Sequence, residues 1–398
     1  MNYVISNRTR TIIFTLMGVG LLAIIYGAVT LNPFSEGHNA TRFWANMFIN
    51  SFFFMAISLA ATFFMAVQYI GQSGWYSAIK RVFEGISQYI FVGALIFAIV
   101  LALGGHHLYH WQHEGIMEKG NPHYDEIIAG KSGFLNLPFF WIATIIYLGG
   151  WCAFTWVFRK RSIEEDTIGG TKNHMKNYFM AAWFVVFFAV SSSTSAWHWI
   201  LSIDTHWFST MFGWYIFAGM FISGLITIVL FTVYLKSKGF LPGVNENHLH
   251  DIGKFMFAFS VFWTYIWFSQ FMLIWYANIP EEVTYFLARF ESYKGLMLAN
   301  IAINFVFPFF MLMTRDAKRH AGILAFVGSV IFMGHWSDMF IIVMPGTVGE
   351  KLHYGIMEVG TFMFFLGLFL FIVHRSLAKA PTEPKNHPFL EESLHHHI

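Results

Sequence analysis

Ten apolar stretches constrain this chain more than anything else in it. A helix rises about 1.5 Å per residue and needs about 20 apolar residues to cross a bilayer. Stretches of that length fall at roughly 11–31, 44–71, 85–106, 136–158, 178–201, 207–235, 252–278, 295–314, 321–344 and 354–374. Of the 398 residues, 56% are hydrophobic and only 12% charged, with mean hydropathy +0.54. A soluble domain carries about 25% charge. The expected fold is therefore an all-α polytopic membrane protein formed by a single integral domain over 1–398. No cleavable leader is expected, because the first stretch is spanning length and lacks a small-residue cleavage pattern.

The basic residues fall unevenly around these stretches. Arg8, Arg10, Lys80, Arg81, Arg159, Lys160, Arg161, Lys172, Lys176, Lys236, Lys238, Lys254, Arg315, Lys318, Arg319, Arg375, Lys379 and Lys385 lie on one side, 18 of 24. Arg42, Lys119, Lys131, Arg289, Lys294 and Lys351 lie on the other. The positive-inside rule puts the first side, and with it both termini, in the cytoplasm. An even number of spans agrees.

One stretch between two spans concentrates polar chemistry. Ser191–Tyr215, SSSTSAWHWILSIDTHWFSTMFGWY, holds His198, Asp204, His206 and four tryptophans in 25 residues. Ionisable groups near lipid are costly, so such a cluster is a functional candidate by default. Asp204 with Ser202 and Thr205 also matches an N-cap for the following helix. His198 and His206, flanked by tryptophans, also suit interfacial anchors.

Depth along each span places further candidates. Counting from Ala321, His335 lies about 21 Å across and Asp338 about 25 Å. Three residues apart, they share a helix face, and the histidine is the expected partner of the buried carboxylate. Glu358 lies one turn into the last span, near enough to the interface to reach water. Asn50, Gln270, Asn300 and Asn304 fall in the outer half, where Asn and Gln commonly bridge helices. A kink is expected at Pro308, the only proline in the middle of a span. The inner half holds mostly hydroxyls, plus Glu84 and Gln88. Glu84 also suits the start of its helix, against the positive dipole end. The asymmetry points to an outer half-channel rather than a complete pump.

The loops are less specific. The outer loop near 107–135 carries His106, His107, His110 and His113 without a HExxH or Cys/His spacing, so a solvated docking loop is preferred to a metal site. The stretch RKRSIEEDTIGGTKNHMK from Arg159 reads as a solvated linker. The tail after Arg375, with Pro381, Pro384 and Pro388, reads as an extended cytoplasmic segment, and His395-His396-His397 is too short to read as a metal site. The single Cys152 excludes an internal disulfide, a CxxCH haem attachment and a Cys-ligated iron–sulfur cluster.

Three function classes fit such a set. A quinol-handling or proton-conducting subunit would use His–carboxylate groups as proton acceptors. A haem b anchor needs two histidines on facing helices well inside lipid, and only His335 is clearly inside. A solute transporter would show interrupted helices at the midplane, for which Pro308 alone argues.

The segment Ser202–Phe221, SIDTHWFSTMFGWYIFAGMF, resembles the hallmark of the F-subunit family of bacterial alternative complex III, a quinol:electron-acceptor oxidoreductase. That family is part of the wider NrfD-like, polysulfide-reductase-type membrane subunits. GHWSDMFIIVMP, residues 334–345, and the ten-span count are consistent with the resemblance, which extends over essentially the whole chain. It implies two four-helix bundles, spans 2–5 (about 44–201) and 6–9 (about 207–344), flanked by span 1 (about 11–31) and span 10 (about 354–374), with a cytoplasmic tail at 375–398. It implies no haem or iron–sulfur cluster on this chain. Those groups would sit in partner subunits: an iron–sulfur subunit, c-type cytochromes, a sister NrfD-like subunit better suited to quinol oxidation, and in some assemblies a terminal oxidase. Menaquinone or ubiquinone would be the substrate of the complex, in the bacterial cytoplasmic membrane. The family is viewed as proton-translocating and is also often described as quinone-binding. A proton-path role carries over to His198, Asp204, His206, His335 and Asp338, with Glu358, Glu84 and Gln88 as weaker members, and no catalytic or metal residue is implied.

Overall fold

The computed structural model describes residues 3–349 and 354–397. Lys351, counted above on the sparsely charged side, lies outside them. Among the described residues, ten helices are long and apolar enough to cross a membrane. They are α1 (Asn7–Leu31), α2 (His38–Ile70), α3 (Trp75–Leu108), α4 (Leu137–Ile168), α5 (Lys172–Ile203), α6 (Phe212–Ser237), α7 (Glu246–Ala277), α8 (Lys294–Met311), α9 (Ala321–Thr347) and α10 (Ile356–Leu377). The chain is an all-α polytopic membrane protein.

Local chemistry explains several starts. Ser6 accepts from the Thr9 N–H ahead of α1, and Asn136 from Phe139 ahead of α4. Asn245 and His248 form a reciprocal capping box ahead of α7. Each satisfies N–H groups that a helix start leaves without a partner.

The helix α2 is the hub. Nearly all of its most apolar window is buried, and it contacts α3, α5, α6, α9 and α10. Contacts run in a closed cycle α2–α3–α4–α5 and in a second cycle α6–α7–α8–α9. The α2–α6, α2–α9 and α5–α6 contacts join the two. α1 packs mainly on α10, where small residues let the backbones meet: a Cβ on Gly360 would stand 2.0 Å from the Ala23 Cβ.

Several expectations need correction. The charged stretch from Arg159 is helix, not linker: α4 runs to Ile168 and α5 begins at Lys172. Arg159, Ser162 and Glu165 are buried against the first part of α3, and their ion pairs hold the extra turns. The tail is not extended into solvent. It folds back as a strap whose short helix Leu390–Leu394 packs on Trp75–Ile79. A second proline falls inside a helix beyond the expected limit of its span: α9 continues past 344 through Pro345, in its last turn. In α8 the helix widens to a π turn at Ala302–Val306, just ahead of Pro308. An unexpected helix, Pro280–Ser292, makes up most of the α7–α8 connection, with Tyr285, Phe286 and Arg289 buried.

Two faces can be named from this. The terminal face carries residues near both termini and most of the basic side chains. The opposite face carries the 107–135 loop, the α5–α6 hairpin and Pro280–Ser292.

Candidate functional site: a buried polar column

The site is built around Asp338 on α9, which is 4% exposed. Its Oδ1 accepts from the Tyr215 hydroxyl of α6 at 2.6 Å and from the Asn300 amide of α8 at 2.8 Å. Asn300 in turn accepts from Asn304 at 2.7 Å. Asn304 lies in the π turn of α8, which directs it at α9. Gly334 makes that approach feasible, because a Cβ there would stand 2.1 Å from Asn304 Oδ1.

His335 is not the partner of Asp338, contrary to expectation. Both its ring nitrogens are buried without a hydrogen bond, and its ring meets Trp263 edge-on at 5.2 Å. The two side chains nonetheless line one cavity of about 20 Å³, together with Tyr215, Gly219 and Ser223. That is room for about one water molecule.

Tyr215 also lines a second cavity, of about 10 Å³, with Gln270, Tyr285 and Arg289. Arg289 is 1% exposed and fully engaged. It donates to the carbonyls of Ile341 (3.0 Å), Ile342 (2.8 Å) and Tyr285 (2.9 Å) and to Asp204 Oδ2 (2.9 Å). Asp204 is not a cap: α6 begins at Phe212, and its N-cap position is Met211. The Asp204 side chain is 23% exposed. Polar groups therefore run as a column Asn304, Asn300, Asp338, Tyr215, Arg289, Asp204, hydrogen-bonded on either side of one step, Tyr215 to Arg289, where the two residues share only the lining of the small cavity.

The remaining candidates lie off this column. His198 sits in a π turn at Ala196–Ile200, its Nδ1 3.2 Å from the Tyr147 hydroxyl and its ring stacked on Phe134 at 4.0 Å. His206 is exposed and pairs through Nε2 with Asp125 at 2.7 Å. Asp125 also caps the short helix Glu126–Gly130. The Ile128 N–H foremost, and then the His206 ring, hold its carboxyl below the usual range. Between the hairpin and the 107–135 loop opens a cleft of about 340 Å³ lined by Trp197, Trp207, Phe134, Phe208, Ser202 and Lys131. Burial pushes the Lys131 ammonium below its ordinary value, and Lys131 donates to the Thr205 carbonyl at 2.5 Å.

Glu358 does not reach water. It is 0% exposed, clamped by Arg42 at 2.8 and 2.9 Å and by Asn46 at 3.0 Å. Glu84, at the terminal face, lies in the second turn of its helix segment Lys80–Ser87 rather than at the dipole end. It accepts from Arg81 (2.6 Å), Arg159 (2.8 Å) and the Ser162 hydroxyl, with Lys80 at 3.9 Å. Glu165 on Lys80 and Asp166 on Arg81 balance the three cations with three carboxylates. Gln88 is half-buried and its amide donates to the Ser87 hydroxyl at 3.3 Å. Among the described residues, no three His, Cys, Asp or Glu side chains converge on a metal-sized site, including the histidines at 106–113.

Sequence reasoning missed Tyr215 and Arg289. The signal for Arg289 was present: PEEVTYFLARFES has proline at its first position, acids in its first turn and arginine in its last, the signature of a helix. No signal marked Tyr215, one aromatic residue among many.

No family model matches the chain, and no curated protein matches it.

Proposed function

We propose that the chain is a membrane subunit of a respiratory quinol-oxidising complex, of the kind its Ser202–Phe221 stretch resembles, and that it supplies an outward proton path rather than a redox centre. The observation that carries this reading is the position of Tyr215. Its hydroxyl holds Asp338, and the residue lines one small cavity with His335 and Asp338 and another with Arg289, which places it between the buried carboxylate and the Arg289–Asp204 pair.

In this reading the terminal face is cytoplasmic and the opposite face is the bacterial periplasm, as the Lys and Arg distribution favours. Asp338 is the proton-holding group. A water molecule between His335 and Asp338 connects the two, and Tyr215 passes the proton outward by exchanging its own. Arg289 keeps a positive charge beyond Tyr215, which sets an electrostatic step that a proton crosses only when the field of the complex changes. Electrons travel in iron–sulfur and c-type haem partners, and quinol is oxidised in a neighbouring subunit. The test is Asp338→Asn in the intact complex. Assembly is expected to persist and proton release per electron to fall. Unchanged stoichiometry removes Asp338 from the path.

The 340 Å³ cleft favours a second reading, direct quinone binding at the opposite face, since its volume and aromatic lining suit a planar ligand. A photoreactive quinone labelling Trp197 or Phe208, rather than a sister subunit, would decide for it.

A further inference from the structure

The terminal face holds a group of buried polar atoms that the ion network does not use. Tyr76, Glu165, His174, Asn177 and His387 are each at most 4% exposed. The Tyr76 hydroxyl, Glu165 Oε1, both ring nitrogens of His174, Asn177 Oδ1 and His387 Nε2 find no hydrogen-bond partner in the protein. The rings are close together, and Glu165 reaches them through Lys80, whose ammonium it holds at 3.0 Å and which stands over the Tyr69 ring at 5.3 Å. The His174 and His387 rings are 5.2 Å apart and nearly perpendicular, Tyr76 is 5.8 Å from His387, and Tyr69 is 5.3 Å from His174. Asn177 donates to the Tyr69 hydroxyl at 3.0 Å.

An unpaired buried donor or acceptor costs about 1–3 kcal/mol. One such atom is tolerable, but several in one place call for a shared partner. Buried water is the ordinary partner, making about three hydrogen bonds to groups of this kind. The mixture of acceptors (Glu165, Asn177) with groups able to donate or accept (Tyr76, His174, His387) suits water, which does both.

The lid over this group is the C-terminal strap. His387 reaches in through Nδ1 to the Ser77 hydroxyl at 2.9 Å. Ser393 ties the strap's short helix to the Trp75 carbonyl (2.6 Å), the Ala78 N–H (3.1 Å) and His248 (3.1 Å). Farther along, the His396 ring meets Asp251 at 2.6 Å. On its other flank Asn386 and Lys385 bond Asp166. Nothing in the ion network requires this lid, since Lys80, Arg81, Glu84 and Arg159 are matched by α3, α4 and one α10 carbonyl.

We propose that the strap, residues 381–397, closes a water-holding chamber at the terminal face, with His174 and His387 as its walls and water as its ligand. The chamber stands whether or not Asp338 moves protons. It supplies, at the end where Glu84 is fully committed to cations, ionisable groups that are not.

Two measurements test it. A structure of the full chain at a resolution that shows solvent is expected to hold at least two ordered waters bonded among His174, His387 and Glu165. An unhydrated cluster overturns the chamber. The second uses His174→Cys in a Cys152→Ser background, probed in membranes with a small neutral thiol reagent and a bulky charged one. The small reagent is expected to react with the docked strap in place. The bulky one is expected to react at least about tenfold faster once the strap is released, either by ending the chain at Ala380 or by Ser393→Leu. The Ser393→Leu variant keeps the test open if the shortened chain fails to fold. Equal bulky-reagent rates with and without the strap, or no reaction of the small reagent, overturns the proposal.

Discussion

Arg289 takes the carbonyl that Pro345 leaves without a partner. Proline has no N–H, so the α9 residue four positions earlier, Ile341, loses its helical donor. The Arg289 Nε stands 3.0 Å from that oxygen, and its terminal nitrogen bonds the next carbonyl, Ile342, and Asp204. A helix defect on α9 thus holds a buried guanidinium at the Asp204 end of the polar column.

Arg289→Met should be costly. It strands the Ile341 carbonyl and breaks a partly buried ion pair, and the expected loss is about 3–5 kcal/mol. Adding Pro345→Ala should recover about 1 kcal/mol, because residue 345 then donates to Ile341 itself. Heat-induced unfolding in detergent checks both, and no recovery in the double variant would break the link.

Tyr215 and Asp338 should be energetically coupled. A hydrogen bond to a carboxylate contributes about 1.5–3 kcal/mol. Tyr215→Phe and Asp338→Asn, measured singly and together, should deviate from additivity by about that amount. Additive losses would mean that the 2.6 Å contact does not bind the two groups together in the membrane.

Gly334→Val should disturb the column without touching an ionisable group. Its side chain would meet Asn304 Oδ1, already 2.1 Å from a modest Cβ. Overpacking of this kind costs about 1–3 kcal/mol. Stability should fall, and with it the proton release of the proposed complex, whereas Gly149→Ala, where a Cβ meets nothing within 4 Å, should lower neither.

Glu84→Gln should destabilise by about 3–5 kcal/mol, because Arg81 and Arg159 would keep their charge with one acceptor fewer. Thermal unfolding measures the loss. A neutral result would show that the network tolerates an excess of cation.

The His387 contribution to strap docking should weaken as pH falls, which a His396→Gln background isolates from the His396–Asp251 contact. Burial foremost, then Lys80, His174 and Arg81, hold the His387 imidazole well below its ordinary value. A detached strap would titrate near pH 6.5. Below that pH the detached form binds the extra proton and the docked form does not, so docking free energy present above about pH 6.5 is lost as pH drops. Lys80 and Arg81 are themselves paired with Glu165 and Asp166 on the facing helix. Amide exchange of residues 381–397 should rise between pH 7.5 and 5.5, and His387→Gln should flatten the dependence.

Ten spans, their approximate limits and the gathering of polar groups at His335, Asp338, Asn300 and Asn304 were legible in the sequence. Span length and side-chain spacing on one helix are local properties, and hydropathy carries them directly. Glu84 was visible as an ionisable residue near a helix start, yet its partners Arg159 and Ser162 lie more than seventy residues away. Nothing local shows that the Arg159 stretch stays helical in order to meet it. The tail was read as extended because its prolines forbid a long helix, while its docking depends on Trp75 at the start of α3 and on His248 and Asp251 at the start of α7, two segments far from it in the chain.

By itself the sequence determined that this chain crosses a membrane as helices and which residues sit deep, because burying unpaired backbone in lipid leaves only the helix and its length scale. Only the tertiary structure decided the partners. Asp338 is joined to Tyr215 and Asn300 rather than to His335, and Asp204 to Arg289 rather than to its own helix start. A hydrogen bond between distant segments depends on how helices turn their faces toward one another, and that is set by the packing of the whole bundle around α2.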